Sequence, residues 1–311
     1  MWNGVPVTGR TLSDIAPLFK KAGVAVMNLE IPLTTMTRAT PNKSAKDIAA
    51  RNQYVLKASP GHGSELKSAG IDMVSMGNNH AMDFRLAGLR QMTGVLDKLG
   101  IAHTGAGINL ADARKCVVTV APDGTRVGLI SSLAFMNWGG AFACTPATPT
   151  APGVNFLRFG GKIDDRARSE IRAWVADAKR NCDFLIVGLH WGIERQTVPS
   201  AYQVALARAF IEEGADVVWG HHPHVLQGAE LYKGKPIMYS MGNLVSPRPA
   251  STGVIRIYFE NRAYKAARFY PCSIDGGRVR LSGTGPGRMK GLSQAMTRTY
   301  RHPDSQPMFQ K

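Results

Sequence analysis

The 311-residue chain contains no apolar run near the roughly 18 residues that a membrane-crossing helix needs. Its first ten residues, MWNGVPVTGR, have neither the charged start nor the apolar stretch of a secretory signal, so the chain as it stands is expected to be soluble. Cysteine is scarce. The four present, Cys116, Cys144, Cys182 and Cys272, are widely spaced with no CxxC pair, which argues against a structural zinc knuckle. Nothing in their spacing requires a disulfide, and buried free thiols are the expectation. Low-complexity tracts and internal repeats are absent, which excludes a disordered chain or a solenoid. Acidic residues are few, 22 against 38 Lys and Arg, for a net charge of +16. That imbalance favours anionic partners such as phosphates, polycarboxylates, nucleic acid or an anionic membrane surface; a basic surface with no such partner is the alternative. No dense Lys/Arg run with interleaved aromatics occurs, so nucleic acid is not expected.

What is present reads as a globular α/β chain, 44% apolar and long enough for a sizeable core. Residues 11–22 carry Leu12, Ile15, Leu18 and Phe19 at helical spacing, with Thr11 or Ser13 as cap. The run 24–29 (VAVMNL) suits a buried parallel strand. Residues 34–60 read as a long loop with one helical turn, 64–69 as a short helix, 71–76 as a strand and 86–99 as an amphipathic helix. Residues 116–120 and 127–132 flank Pro122-Asp123-Gly124, a hairpin signal. The Gly, Ala, Thr and Pro-rich segment 137–152 is the candidate lid. Helices follow at 164–180 and 202–213, and strands at 184–189, 216–219 and 237–240. After residue 250 three strands, 254–259, 264–270 and 278–282, follow without helices and are expected to complete a sheet edge. Residues 1–285 are expected to form one domain, and 286–311 a basic, loosely attached tail.

Five polar motifs each stand at the end of a predicted strand: Asn28-Leu29-Glu30, Gly77-Asn78-Asn79-His80, His190-Trp191-Gly192, Gly220-His221-His222-Pro223-His224 and Gly242-Asn243. Strand ends on one side of an open parallel sheet share a crevice where ligands bind, so five such ends predict a convergent site. Imidazole, carboxylate and amide oxygen together suit a transition metal. His222 and His224, one residue apart, can address two neighbouring ions, and Glu30 can bridge them. Two ions about 3.5–4 Å apart would clamp a phosphoryl or similar group and activate a water. His80, beside Asn79, is then free to act as general acid. His62, His103 and His302 stand outside these motifs and are read as core or surface residues.

NLE, GNNHAMDF, GLHWGIE and GHHPHVLQGAELYKGKPIMYSMGNLV, in this order, resemble the CapA-like poly-γ-glutamate capsule biosynthesis family, itself similar to the calcineurin-like metallophosphoesterases. The resemblance implies a four-layer α/β/β/α sandwich with a dinuclear centre of Mn, Fe or Zn. It implies Glu30, Asn79, His190, His222 and His224 as metal ligands, with Glu30 bridging, and His80 as general acid. Asn28, Asn78, Asp83, Trp191, Glu194, His221 and Asn243 would shape the site or bind substrate. One departure matters. The family begins with a strand ending in Gly-Asp, whose Asp is a ligand, and nothing upstream of Glu30 is acidic except Asp14. The sandwich is therefore expected to lack its first strand: either the chain is truncated or its start is placed too late, which would also remove any signal peptide or membrane anchor, or one metal position is weakened.

Three functions follow from this reading. The leading one is metal-dependent hydrolysis or transfer on an anionic polymer, poly-γ-glutamate or a related component, in association with membrane-bound capsule machinery at the cell envelope. The second is a metallophosphoesterase acting on phosphomonoesters or diesters. The third is a non-catalytic polymer-binding or export protein with a degraded metal site. Arg38, Lys43, Lys46 and Arg51 in the 34–60 loop are expected to face the substrate and suit phosphate and carboxylate alike.

Overall fold

A computed structural model describes residues 4–134, 144–159 and 162–282. The candidate lid is described only from 144 onward, and the C-terminal tail lies outside the described residues.

The first sheet is short and parallel: β1 (Val26–Asn28), β2 (Met73–Ser75) and β3 (Ala102–Thr104), in that order, with Met27 opposite Val74 and Val74 opposite His103. β1 pairs only with β2 among the described residues, so no strand stands before it in this sheet. Helices α1 (Ala16–Lys20), α3 (His62–Ala69) and α4 (Arg85–Lys98) bury Phe19, Leu66, Leu89, Met92 and Leu96 in one cluster with Met27, Leu29, Val74 and Met76. The short α2 (Ala45–Ala49) is the one helical turn of the long loop. The helix expected over 11–22 is reduced to α1, which has Pro17 in its first turn. Proline has no N–H and blocks the carbonyl four residues back, so the helix cannot extend N-terminally through it. Ser13 Oγ donates to Arg10 O instead of capping.

β4 (Ala106–Gly107) makes a two-residue pair with β7 (Gly153–Val154), and α5 (Leu110–Arg114) stands between β4 and the second sheet. That sheet has six strands in the order β10-β11-β9-β8-β6-β5: β5 (Val117–Val120), β6 (Arg126–Ala134), β8 (Phe184–Trp191), β9 (Val217–His221), β10 (Ala229–Tyr232) and β11 (Lys235–Met238). Period-two alternation sorts its side chains. Ile130, Leu185, Val187, Leu189, Trp191, Val218 and Ile237 join α6 (Asp165–Lys179) and α7 (Ala201–Glu212) in one core, where Trp174 meets Phe210 edge to face. α6 is capped by Asp164, and α7 by a Ser200/Gln203 capping box, which fixes both starts. The other face turns toward the first sheet. Ser75 Oγ of β2 hydrogen-bonds Ser131 Oγ of β6 at 2.5 Å, and a Cβ at Gly77 would stand 2.6 Å from that same Ser131 oxygen. Small residues thus let the two sheets approach face to face.

Two elements depart from the sequence reading. The β10–β11 hairpin turns at Lys233 and Gly234, both at positive φ (49° and 72°), and was legible only as a strand over 237–240. The C-terminal strands do not complete an edge. β12 (Ala250–Glu260), β13 (Ala263–Asp275) and β14 (Arg278–Leu281) form their own antiparallel sheet, hinged at Asn261 and Arg262, again both at positive φ. One face instead lays Ile255, Ile257 and Phe269 over Val127, Phe184, Val217 and Met238. No described helix is long and apolar enough to cross a membrane.

Candidate metal centre

The five motifs do converge, but from two sheets and not from one open edge. β1 and β2 deliver Glu30 and Asn79-His80, while β8, β9 and β11 deliver His190, His221–His224 and Asn243. Neither sheet alone carries enough strands to build the cluster. Their face-to-face packing brings the C-terminal ends of both into one place.

His190 stands near the end of β8, inside the strand and not after it, and is fully buried. Its Nε2 lies 3.1 Å from His222 Nδ1 and 3.8 Å from Glu30 Oε1, and its Nδ1 lies 3.1 Å from His221 Nδ1. His224 Nε2 lies 3.6 Å from the same Glu30 oxygen, and its Nδ1 lies 2.8 Å from Asn243 Oδ1. Ligand atoms of Glu30, His190 and His222 all fall within 4.8 Å of one another, as do those of Glu194, His222 and His224. Two nitrogens bound to one zinc at 2.0–2.1 Å stand roughly 3.3 Å apart in tetrahedral geometry, so the 3.1 Å between His190 and His222 suits a shared ion. Burial first, and then the neighbouring imidazoles, push His190 and His222 well below the ordinary histidine range; burial alone pulls His221 to about 3. Such imidazoles stay neutral, the form that binds metal.

The donor set also leaves buried atoms without partners. Glu30 Oε1, Asn79 Oδ1 and His221 Nε2 are buried and, among the described residues, accept or donate no hydrogen bond. Unpaired buried polar atoms are rare and disfavoured, and a cluster of them beside neutral imidazoles fits a cation. The turn that carries the histidine pair is itself unusual. His222 and His224 both hold positive φ, 103° and 59°, flanking Pro223. L-residues enter that region at a cost of order 1 kcal/mol or more. The turn is clipped by Arg195 N donating to Pro223 O at 2.8 Å, which draws the 192–195 segment, and Glu194 with it, onto the histidine pair.

His80 is held by Asp83, whose Oδ2 lies 2.8 Å from its Nδ1. Asp83 Oδ2 also accepts Leu56 N at 2.7 Å, and its other oxygen pairs with Lys43. Lys43 was expected to face substrate. It is buried, its Nζ donating to Tyr54 O at 2.8 Å and standing 3.1 Å from His80 Nδ1. Burial pulls its ammonium below the usual lysine range, against the charge of Asp83. The correction is physical: the ammonium neutralises a buried carboxylate and has no surface left for a ligand. Arg38, Lys46 and Arg51 are exposed.

Other expected residues build the frame. Asn78 Nδ2 donates to Leu29 O at 3.0 Å and reaches Asn28 Oδ1 at 3.4 Å, tying the β2 turn to the β1 exit. Trp191 is wholly buried among the α6–α7 core and donates its indole N–H to Tyr239 O at 2.9 Å, so it braces the site and offers no surface to substrate. Outside the cluster, His62 lies 2.7 Å from Glu65 Oε2, and His103 lies 3.0 Å from Asp97 Oδ1, as ordinary structural histidines; His302 lies outside the described residues. The sequence reading missed the pairing of Lys43 with Asp83, and it put Glu194 among the residues that shape the site or bind substrate without placing it beside His222 and His224. Only the spacing of Glu194 four residues after His190 hinted at that placement.

Compared with known proteins, residues 8–248 match the family described as bacterial capsule synthesis protein PGA_cap. The chain belongs to that family. Among curated relatives of this PGA_cap chain, the PGA biosynthesis protein CapA of Bacillus subtilis (strain 168) is 32% identical over 233 residues, covering 74% of this chain and 55% of its own length. The capsule biosynthesis protein CapA of Bacillus anthracis is 31% identical over 240 residues, covering 76% and 54%. A probable polyglutamine synthesis accessory protein of Mycobacterium tuberculosis is 30% identical over 222 residues, covering 71% and 55%. The chain thus spans about half the length of the curated relatives it matches. A solved structure, TT1561 of Thermus thermophilus, aligns with a TM-score of 0.38 at 11% identity over 78% of this chain and 86% of that one, too distant to bear on the fold.

Proposed function

We propose that this PGA_cap chain is a metal-dependent hydrolase or transferase acting on an anionic polymer of the poly-γ-glutamate kind, in a four-layer α/β/β/α fold of metallophosphoesterase type. One observation carries the reading. Glu30 Oε1 is buried without a hydrogen-bond partner among the described residues, and the Nε2 atoms of His190 and His224 stand 3.8 and 3.6 Å from it. A carboxylate oxygen so placed is destabilised until a cation joins it.

Glu30, His190 and His222 would hold one ion. His224, with Glu194 close by, would hold the second ion beside the shared oxygen of Glu30, and the buried Asn79 Oδ1 is proposed as a further donor. Manganese, iron or zinc suits these ligands. Such ions supply Lewis-acid polarisation of a carbonyl or phosphoryl oxygen and lower the pKa of a coordinated water.

The chain's own residues supply the rest. Asp83 engages Nδ1 of His80, which leaves Nε2 as the nitrogen that exchanges a proton with the leaving group. The Asp83–Lys43 pair fixes that carboxylate in place. The net charge of +16 attracts a polyanion over distances beyond contact. The names of the relatives, a PGA biosynthesis protein and a capsule biosynthesis protein, point to the same polymer class and to work at the cell envelope.

The test is metal content per chain by plasma mass spectrometry after supplementation with manganese, iron or zinc, on the wild type and on His222→Ala/His224→Ala. Two equivalents lost in the variant are expected. No bound metal in the wild type would overturn the catalytic reading and leave a polymer-binding role. A panel of γ-glutamyl peptides against chromogenic phosphoesters then fixes the substrate. Turnover of the phosphoesters alone would assign the protein to phosphoester chemistry.

A further inference from the structure

Cys116 stands just before β5 and Cys182 just before β8, the two neighbours of β6 in the six-stranded sheet. Gly128 lies in β6 between them. A Cβ at Gly128 would stand 2.6 Å from Cys182 Sγ and 2.9 Å from Cys116 Sγ. Both sulfurs therefore fill the hollow left by the missing side chain, within a few ångströms of each other. Cys182 is buried and Cys116 is partly exposed.

The geometry points to a reversible disulfide between Cys116 and Cys182, formed by exchange with a small-molecule or protein disulfide. The partly exposed Cys116 meets the oxidant first. Its sulfur bonds to one oxidant sulfur, and the other leaves as a thiol that carries the Cys116 proton. The Cys182 thiolate then attacks the Cys116 sulfur. The internal S–S bond forms and the second oxidant sulfur leaves, taking up the proton that Cys182 has lost. Two cysteine thiols are oxidised and one oxidant disulfide is reduced to two thiols. The contact with Cys116, helped by the Lys179 ammonium, lowers the Cys182 thiol below its ordinary value, while the same contact and burial raise Cys116. Once Cys116 is spent in the mixed disulfide its thiol contact is gone, but the Lys179 ammonium still favours the Cys182 thiolate, which lies beside the Cys116 sulfur for the second attack.

The bridge would join the edge strand β5 to β8 across β6, at the opposite end of β8 from His190. Closing it constrains the unfolded chain and leaves the metal cluster untouched.

The experiment treats the purified full chain with oxidised glutathione, alkylates remaining thiols under denaturing conditions and maps the peptides. Two of the four cysteines should resist alkylation, with a reductant-sensitive peptide joining 116 to 182 and a melting temperature raised by several degrees until reductant is added. The joined peptide should vanish in Cys116→Ser and persist in Cys272→Ser. Four alkylatable thiols, glutathione held on Cys116 with Cys182 still alkylatable, or a bridge to Cys144 or Cys272 would overturn the inference. The wild-type peptide map decides the matter whether or not the variants fold.

Discussion

Lys43 Nζ stands 3.1 Å from His80 Nδ1 while pairing with Asp83, so the proposed proton-transfer histidine shares one carboxylate with a buried ammonium. Removing the cation strands a buried negative charge. Lys43→Met should destabilise the protein by about 3–5 kcal/mol, the usual loss when one partner of a buried pair is deleted. Lys43→Met/Asp83→Asn should recover much of it. Urea unfolding of Lys43→Met, Asp83→Asn and the double variant measures this, and a double loss equal to the sum of the two single losses would mean the pair is not coupled.

Gly220 admits no side chain. An added Cβ would meet both the Tyr239 carbonyl and the Trp191 indole nitrogen, the two groups that hydrogen-bond each other there. Gly220→Ala should therefore cost several kcal/mol, since backbone must move, and should also weaken metal binding through the adjoining His221 and His222. The milder Trp191→Phe leaves Tyr239 O without its donor and should cost about 1–3 kcal/mol. Denaturation midpoints order the two variants, and a harmless Gly220→Ala would refute the packing.

Asn243 Oδ1 accepts from His224 Nδ1 at 2.8 Å and so orients that ring. Partners of this kind typically govern metal affinity by about 10–100-fold. Asn243→Ala should weaken binding of one ion by that order with little change in stability. Isothermal titration with manganese or zinc reads it, and unchanged affinity would exclude His224 as a ligand.

Acid should unfold the metal-free protein through its histidines. His190, His221 and His222 stay neutral in the fold, pulled below the ordinary 6.5 mainly by burial, His221 to about 3. The unfolded chain takes up protons on all three once pH drops below about 6.5 and the folded chain does not, so stability falls with falling pH. The slope approaches about 1.4 kcal/mol per pH unit for each histidine. Urea midpoints of chelator-treated protein from pH 7.5 to 5 should decline, most steeply below 6.5. A flat profile would show that the folded imidazoles protonate freely.

The ligand motifs were legible because each follows a short apolar run, and the runs at 24–29, 71–76 and 184–189 do form β1, β2 and the start of β8. How those strands group was not. Ser75 meeting Ser131 is a contact across 56 residues, and no local pattern separates one open sheet from two facing ones. Lys43 read as an exposed loop cation because burial of a lysine depends on a partner forty residues away. The C-terminal strands were found, but their partners were misjudged, since Asn261-Arg262 is a hairpin turn without the glycine that usually marks one. His222 and His224 were singled out by residue type, spacing and the resemblance; that both sit on left-handed backbone is visible only in three dimensions.

β1 is three residues long and paired on one side only, yet it carries Glu30 into contact with histidines mounted on an interior strand of the larger sheet. An ion shared by Glu30 and His190 would act as a rivet between two layers that also meet at a serine pair, at bare glycines and through Leu133. Metal loading then becomes a property of the architecture as much as of the chemistry. Its withdrawal should let the amides of β1 exchange with solvent well before those of β8, so that the protein comes loose first at the margin that feeds its own reactive cluster.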